Sequence, residues 1–507
     1  MPTTLILLTL VSAVLYALSF PPFSLWPLAW IALVPFLVVL TRVRPAVACG
    51  YGMLWGVAMT GFFGWSFPEL VANYFGVSRL LGWGCFLLVS VGLFGIYFAA
   101  FACWTSWLAD RRMAYPVLIA AGWSVCEFAR ANLLWGNPLA LLSYSQVSLT
   151  RLMQIADITG PYGAGMLITA VNACVAGYFA VSLRGRRFLP SCAFVGAAVV
   201  GVLVYGEWRL AQTFTTGDPI PVAVVQGAID RKIRWDPEHR EENLGRYLAL
   251  TKEIALAQPR LIFWPENAVD FYLQEEVPES EAIFTAARDL GVNLILGGPS
   301  YGYGVRDIYY HNSVFLVRRG KLAGRYDKIR LLPFAETDQF RGFFAGKLLN
   351  LKPGRRPRML RVEGVQVGAF VCFEALHPDL VRAFAMQGAG IFVNPSNDDW
   401  FGYAAPARHL LDIASVRAIE NRRYLVRPTA TGYSAVIDPH GRTVVRSSFG
   451  VSEVLTAAVS PSRTRTPYQQ WGDRFVWFTI ALATVASLFC IEWRGKKKQT
   501  NVEGGRL

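Results

Sequence analysis

Three short segments of this chain carry side chains that together can transfer an acyl group. Glu266 follows the apolar run Leu261-Ile-Phe-Trp264 and Pro265. Lys328 lies in Arg325-Tyr-Asp-Lys-Ile-Arg330. Cys372 ends the run Val365-Gln-Val-Gly-Ala-Phe-Val371 and is followed by Phe373-Glu374. A thiol is a weak nucleophile until it ionises. A carboxylate within reach takes its proton, and an ammonium stabilises first the thiolate and then the oxyanion of a tetrahedral intermediate. Each segment alone has a plainer reading. A Glu after Pro is often a helix-start charge, a charge run is often a solvated strand edge, and a buried thiol usually behaves as a small hydrophobe. The chain has five histidines, none in a Cys–His signature, and His311, His377 and His409 stay open as alternative bases. No metal-ligand cluster stands out, and no cofactor is expected.

Cysteine placement sharpens the question. Cys49, Cys85, Cys103, Cys126, Cys174, Cys192 and Cys490 all sit in strongly apolar stretches. Cys372 is the remaining one and has no disulfide partner within its own polar segment.

The elements that must hold these groups are readable from pattern. Residues 220–460 alternate short β-branched runs with amphipathic helical stretches. Strands are predicted at Pro221–Gln226, Leu261–Trp264, Asn293–Leu296, Ser313–Val317, Val365–Val371, Ile391–Asn394, Tyr424–Arg427, Ser434–Ile437 and Glu453–Val459. Helices are predicted at Arg240–Ala257, Glu279–Leu290, Pro378–Gln387 and Ala407–Asn421. Apolar strands between helices indicate sheets buried on both faces, hence a layered α/β domain. Glu266, Cys372 and the Asn394-Pro-Ser-Asn397 step all follow such strands, where sites are usually built. The apolar stretch Phe340–Leu351 reads equally as a core helix or as an arm dipping into a membrane interface.

The rest of the chain is apolar. Of 507 residues 53% are hydrophobic, concentrated in residues 1–206 and 475–491. Eight membrane spans are predicted: Thr4–Phe20, Phe23–Leu40, Ala46–Phe67, Leu80–Leu108, Met113–Trp135, Met166–Leu183, Phe188–Tyr205 and Phe475–Ile491. Glu127 and Arg130 interrupt the fifth, at a spacing that lets them pair on one helix face. The net charge of +14 does not point to nucleic acid, because much of it flanks the spans. Arg42 and Arg44, Arg111 and Arg112, Arg184, Arg186 and Arg187, and Arg494 with Lys496–Lys498 mark every second connection. The positive-inside rule makes those connections cytoplasmic and puts residues 207–470 on the outer side. No Lys or Arg precedes Arg42, so the first apolar run lacks the basic start of a cleaved signal peptide.

Trp264-Pro-Glu266, Tyr326-Asp-Lys328 and Cys372-Phe-Glu374, in that order, resemble the Glu–Lys–Cys motifs of the nitrilase superfamily. With an apolar bundle before them and one span after, the whole chain resembles the apolipoprotein N-acyltransferase family. The likeness includes Val225-Gln-Gly227, Trp235-Asp-Pro-Glu-His239, Leu332-Pro-Phe-Ala-Glu336, Asn397-Asp-Asp-Trp-Phe-Gly402 and Thr431-Gly432. In the membrane part it includes Gly136-Asn-Pro138, Tyr144-Ser-Gln146 and Gly160-Pro-Tyr-Gly163. The resemblance implies a multi-span α-helical bundle (residues 1–206), a nitrilase-like αββα sandwich in the periplasm (207–470), and a C-terminal span with a basic cytoplasmic tail (471–507). It implies a bacterial inner-membrane enzyme, working as a monomer. The enzyme would move an acyl chain from a phospholipid, phosphatidylethanolamine first, to the α-amine of a diacylglyceryl-cysteine apolipoprotein.

By the same resemblance Cys372 is the nucleophile, Glu266 the general base and Lys328 the stabiliser of the intermediate. Glu336 and Glu374 support them. Trp235 matches a tryptophan associated with substrate binding, and Phe340, Phe343 and Phe344 of the apolar arm are candidate lipid contacts. Phe373 departs from the family pattern, standing where a tyrosine is often found, and Asn137 stands where a phenylalanine is common. Two further readings compete. One is a membrane-tethered amidase or nitrilase with a small soluble substrate, for which eight spans would be unnecessary. The other is a transporter or scaffold with a degenerate outer domain, for which Cys372 would be dispensable.

Overall fold

The computed structural model describes residues 2–113, 115–134, 136–180, 188–304, 307–333, 335–337, 351–399 and 402–503. It divides into two compact units: Met1–Arg209 with Trp471–Leu507, and Leu210–Gln470.

Among the described residues of the first unit, five helices are long and apolar enough to cross a membrane. They are Pro45–Phe63, Arg79–Asp110, Thr150–Phe179, Phe188–Leu210 and Arg474–Ile491. These correspond to five of the eight expected spans. The other three fall on shorter helices. Trp26–Leu40 is broken into a 3-10 turn and two short helices, with Pro27 and Pro35 each opening a new piece. Pro2–Leu18 and Pro116–Asn132 have 17 residues each, about 25 Å at 1.5 Å per residue. Phe188–Leu210 buries only Phe188, Val195 and Gly206 and leaves Leu189, Phe194, Val200 and Val204 exposed, as a lipid-facing helix must.

Glu127 and Arg130 are both buried, but no ion pair joins them among the described residues. Arg130 instead donates to the carbonyls of Asn137 (2.6 Å), Leu139 (2.6 Å) and Ala140 (3.3 Å). Glu127 accepts from the Leu142 N–H at 2.7 Å. The expected helix-face pairing is thus replaced by two anchors on the same irregular segment. That segment has backbone groups which no helix satisfies, and in an apolar bundle they need partners.

The second unit contains two six-stranded sheets. The first is ordered β12-β1-β2-β3-β4-β5 and the second β11-β10-β9-β8-β7-β6. The first-sheet strands are β1 Ile220–Gln226, β2 Leu261–Phe263, β3 Asn293–Tyr303, β4 Ile308–Arg318, β5 Lys321–Asp327 and β12 Glu453–Val459. Those of the second are β6 Met359–Val362, β7 Val365–Ala369, β8 Ile391–Val393, β9 Tyr424–Arg427, β10 Ala435–Ile437 and β11 Thr443–Arg446.

Side-chain alternation builds the layers. Val222, Val224, Leu261 and Phe263 join one core with Val367, Ile391 and Val393 of the second sheet. Their neighbours Ala223, Val225, Ile262 and Trp264 face the other way, onto Leu244, Tyr247, Ile254, Ile283 and Ala287 of helices Arg240–Ala255 and Pro278–Asp289. Helices Pro378–Met386 and Ala404–Asn421 contribute Leu380, Phe384, Leu411 and Ala414 to the first core. The result is the layered α/β domain expected from the apolar runs, in the αββα arrangement that the family resemblance implies. Strands β5, β6 and β11 were not predicted. Their residues are largely exposed or half-buried, so they lack the apolar pattern that marks a central strand.

Candidate active site

Topology brings the three chemical segments to one end of the sandwich. Strands β1, β2 and β3 are parallel, β4 reverses against β3, and β5 reverses again. Strands β2 and β5 therefore point the same way, and Glu266 and Lys328 emerge beyond their C-terminal ends. In the second sheet β7, β8 and β9 are parallel, so Cys372 and the 394–399 loop emerge together. The Asn397 N–H donates to Glu266 Oε2 at 2.8 Å and ties the two sheet ends to each other.

Lys328 Nζ lies 3.4 Å from Glu266 Oε1 and 2.9 Å from Glu336 Oε2. Asn312, on β4, bridges the same two carboxylates: its Nδ2 donates to Glu266 Oε1 at 2.7 Å and to Glu336 Oε1 at 3.0 Å. The Asn312 carbonyl also accepts from the Lys328 N–H at 2.9 Å. All four residues are buried. Backbone packing fixes Glu266 from beneath, because a Cβ on Gly297 of β3 would lie 2.6 Å from the Glu266 Cα.

These contacts set the charges. Burial raises the Glu266 carboxyl above its usual range; Lys328 opposes this, Glu336 adds to it, and hydrogen bonds from Asn312 and the Cys372 thiol lower it. Burial alone would lower the Lys328 ammonium, but Glu336 and Glu266 more than reverse that, so it stays charged.

Cys372 sits at a sharp strand-to-turn corner with φ +49°. Its N–H donates to the Pro395 carbonyl at 2.7 Å, and a 3-10 turn begins at the same residue. A non-glycine residue in this conformation costs of order 1–3 kcal/mol and persists where its surroundings over-determine it. The residue is half-buried. Burial pushes the thiol up to about 12; the Glu266 charge adds to the shift, and Lys328 works against it. The resting group is therefore a neutral thiol beside a carboxylate, the arrangement for proton transfer during attack rather than for a standing thiolate.

Glu374 does not point at the thiol. Its carboxylate accepts from Tyr326 OH (2.8 Å) and from the N–H groups of Ile329 (2.7 Å), Arg330 (2.9 Å) and Val371 (2.6 Å). It staples the Cys372 corner to the segment that carries Lys328. Glu336 accepts from the Leu332 N–H at 2.7 Å besides its lysine contact. Trp235 is half exposed (48%). Its neighbour Arg234 donates to Asn397 Oδ1 at 2.9 Å and forms an ion pair with Asp399, which places Trp235 beside the 394–399 loop. Phe340, Phe343 and Phe344 lie outside the described residues, as does the rest of the expected arm except Leu351.

The histidines stand apart from this cluster. His311 Nδ1 contacts the Lys352 carbonyl at 2.7 Å. His377 packs against the Phe373 ring, and burial lowers it to about 4. His409 is buried, which likewise lowers it to about 4.

Sequence reasoning missed Asn312 and Arg427. Arg427 is fully buried, pairs with Asp398 at 3.0 Å, and also binds Asn394 and Ser396, so it braces the loop that reaches Glu266. The available signals were a lone amide inside an apolar strand and an arginine ending another.

Residues 12–174 match the family model described as the apolipoprotein N-acyltransferase N-terminal domain, and residues 221–468 match the carbon-nitrogen hydrolase model. An apolipoprotein N-acyltransferase of Geobacter metallireducens is 34% identical, over 95% of this chain and 94% of that protein. The chain belongs to the apolipoprotein N-acyltransferase family. A second member, from Methylococcus capsulatus, is 31% identical over 98% of this chain and 97% of its own length. A third, from Pseudomonas putida, is 29% identical over 92% of each chain. Family membership and the apolar helices make this a bacterial membrane protein and an acyltransferase of nitrilase-like fold.

Proposed function

We propose that this chain transfers an acyl chain from a phospholipid to the N-terminal α-amine of diacylglyceryl-cysteine apolipoproteins, through a thioester on Cys372. One observation carries the reading: a thiol, a carboxylate and an ammonium converge in a buried site of a chain akin to these acyltransferases over nearly its full length.

Glu266 takes the Cys372 proton as sulfur attacks the ester carbonyl carbon. An ammonium has three N–H donors. Glu266 and Glu336 occupy two on Lys328, and the third faces the oxyanion. The intermediate collapses, the C–O bond breaks, and Glu266 returns the proton to the departing lysophospholipid. In the second half the α-amine attacks the thioester carbonyl. Its proton passes to Glu266, the C–S bond breaks, and the thiol is regenerated.

Glu336 and Glu374 act as positioning residues. Trp235, Phe340, Phe343 and Phe344 contact substrate. Residues 1–206 form the membrane bundle, 207–470 the catalytic domain on the periplasmic face of the inner membrane, and 471–507 the last span and cytoplasmic tail. The donor is phosphatidylethanolamine, and the enzyme is a monomer. Two membrane-held substrates account for a tethered catalytic domain, since confinement raises effective concentration. A small-molecule amidase would leave the N-terminal family match without a role.

The test is mass spectrometry of the full chain incubated with phospholipid. An acyl adduct on Cys372, absent in Cys372→Ser and discharged by a diacylglyceryl-peptide amine, is the expected result. An adduct mapped to another residue, or soluble-amide hydrolysis without acyl transfer, would refute the assignment.

A further inference from the structure

The surface beside this site is electrostatically lopsided. Lys352, Arg355, Arg356 and Arg358 fall within one short loop and are exposed. Among the described residues none of the four has an ion-pair partner. Elsewhere in the unit Arg330 pairs with Asp379 at 3.0 Å and Arg240 with Asp270 at 3.0 Å, while Arg319 and Arg361 are exposed and, among the described residues, also lack an ion pair.

The loop is rooted on the candidate catalytic groups. The Leu351 N–H donates to the Glu336 carbonyl at 3.3 Å, and the Gly354 N–H to the Lys328 carbonyl at 2.8 Å. A Cβ on Gly354 would meet the Asp327 carbonyl oxygen at 2.1 Å, so the backbone runs hard against this strand end. The Lys352 N–H donates to the Tyr310 carbonyl at 2.8 Å, joining the loop to the β3–β4 hairpin. That hairpin presents Tyr303 (77% exposed) and Tyr310 (43% exposed). Their rings pack against Tyr301 and Tyr272, with centroids 5.6 and 6.1 Å apart, which holds them in place.

We propose that this loop and the two tyrosines form the surface on which the phosphate groups of a phospholipid bilayer dock beside Cys372. The inference rests on the acyl-transfer reading and adds to it the locus of headgroup capture. Guanidinium forks match phosphate oxygens in pairs. Tyrosine settles at headgroup depth, ring toward the chains and hydroxyl toward water. Each cation near an anionic lipid surface strengthens association roughly fivefold, so three arginines together supply roughly 100-fold. A loop rooted on Lys328 and Glu336 hands a captured lipid directly to the buried cluster.

The test uses the full chain in amphipol with Cys372→Ala, its binding to phosphatidylglycerol vesicles followed by flotation. Adding R355Q, R356Q and R358Q together is expected to weaken binding by roughly 100-fold. The corresponding triple lysine variant keeps the charge and loses the fork, so it should bind more weakly than the parent and clearly tighter than the triple glutamine variant, which controls for folding. Raising salt to 0.5 M should weaken the parent and leave the triple glutamine variant unchanged. Equal affinity of parent and triple glutamine variant would overturn the proposal, as would displacement of the lipid by an equal concentration of inorganic phosphate. With Cys372 restored, the triple glutamine variant should form the thioester at an unchanged maximal rate but with a raised lipid requirement. If the restored parent forms no thioester while the arginine-dependent binding persists, the acyl-transfer reading falls and the docking surface stands.

Discussion

Replacing Glu266 by glutamine should make Cys372 easier to ionise and slower to acylate. The change keeps shape and removes one charge. The Lys328–Glu266 contact of 3.4 Å is worth about 5 kcal/mol before desolvation, at an effective dielectric of 20. Removing the buried carboxylate also removes its desolvation penalty, several kcal/mol. The glutamine carbonyl can still accept from the Asn397 N–H, which Glu266 holds at 2.8 Å. The cluster goes from one ammonium and two carboxylates to one of each. Folding stability should therefore change by no more than about 1–2 kcal/mol, because these terms oppose.

Chemistry should suffer far more. Without a base the thioester-forming step loses roughly 10²–10⁴-fold. Yet the thiol itself becomes easier to ionise, because burial and the Glu266 charge are what hold it near 12, and Lys328 is left to stabilise the thiolate. Alkylation by iodoacetamide followed across pH by intact mass should show the Cys372 titration moving downward in Glu266→Gln. Single-turnover acyl adduct formation should fall in the same samples. An unchanged or upward-shifted thiol titration would mean that the Glu266 charge does not act on the sulfur. Acyl transfer within tenfold of wild type would mean that Glu266 is not the base.

Three other outcomes follow from the same geometry. Activity of the intact chain should rise with pH through the Glu266 pKa, since the base must be ionised and burial raises it; Asn312→Ala removes a hydrogen bond that lowers this pKa, so its acid limb should shift to higher pH, read from a pH–rate profile. Lys328→Met leaves Glu266 and Glu336 facing each other without their cation; it should cost about 3–5 kcal/mol of stability and roughly 10²–10³ in rate, seen as a lower thermal midpoint in detergent with loss of adduct. Arg130→Met strips three carbonyls of their donor and should lower the thermal midpoint while the Cys372 titration stays where it is.

Local pattern carried much of this protein. Two-sided apolar runs such as Leu261-Ile-Phe and Ile391-Phe-Val mark central strands because both faces are covered, and the structure has strands at both. The edge strands β5, β6 and β11 were missed, since an edge needs no such pattern. The span count was less secure. Prolines break the Trp26–Leu40 stretch into short pieces, which mean hydropathy does not register.

Residue identity and apolar periodicity already marked the groups capable of acyl transfer and their positions after strands. Chemistry is fixed by side-chain identity, and strand ends by periodicity. Tertiary structure alone decided their partners. Asn312 bridges two carboxylates from strand β4, Glu374 turns away from the sulfur to bind four donors, and Arg427 braces the loop that contacts Glu266. Apart from the Val371–Glu374 bond, each contact joins residues far apart in the chain, held by the register of strands in two sheets. Spacing along one chain cannot encode that register, and the charge state of the thiol depends on it.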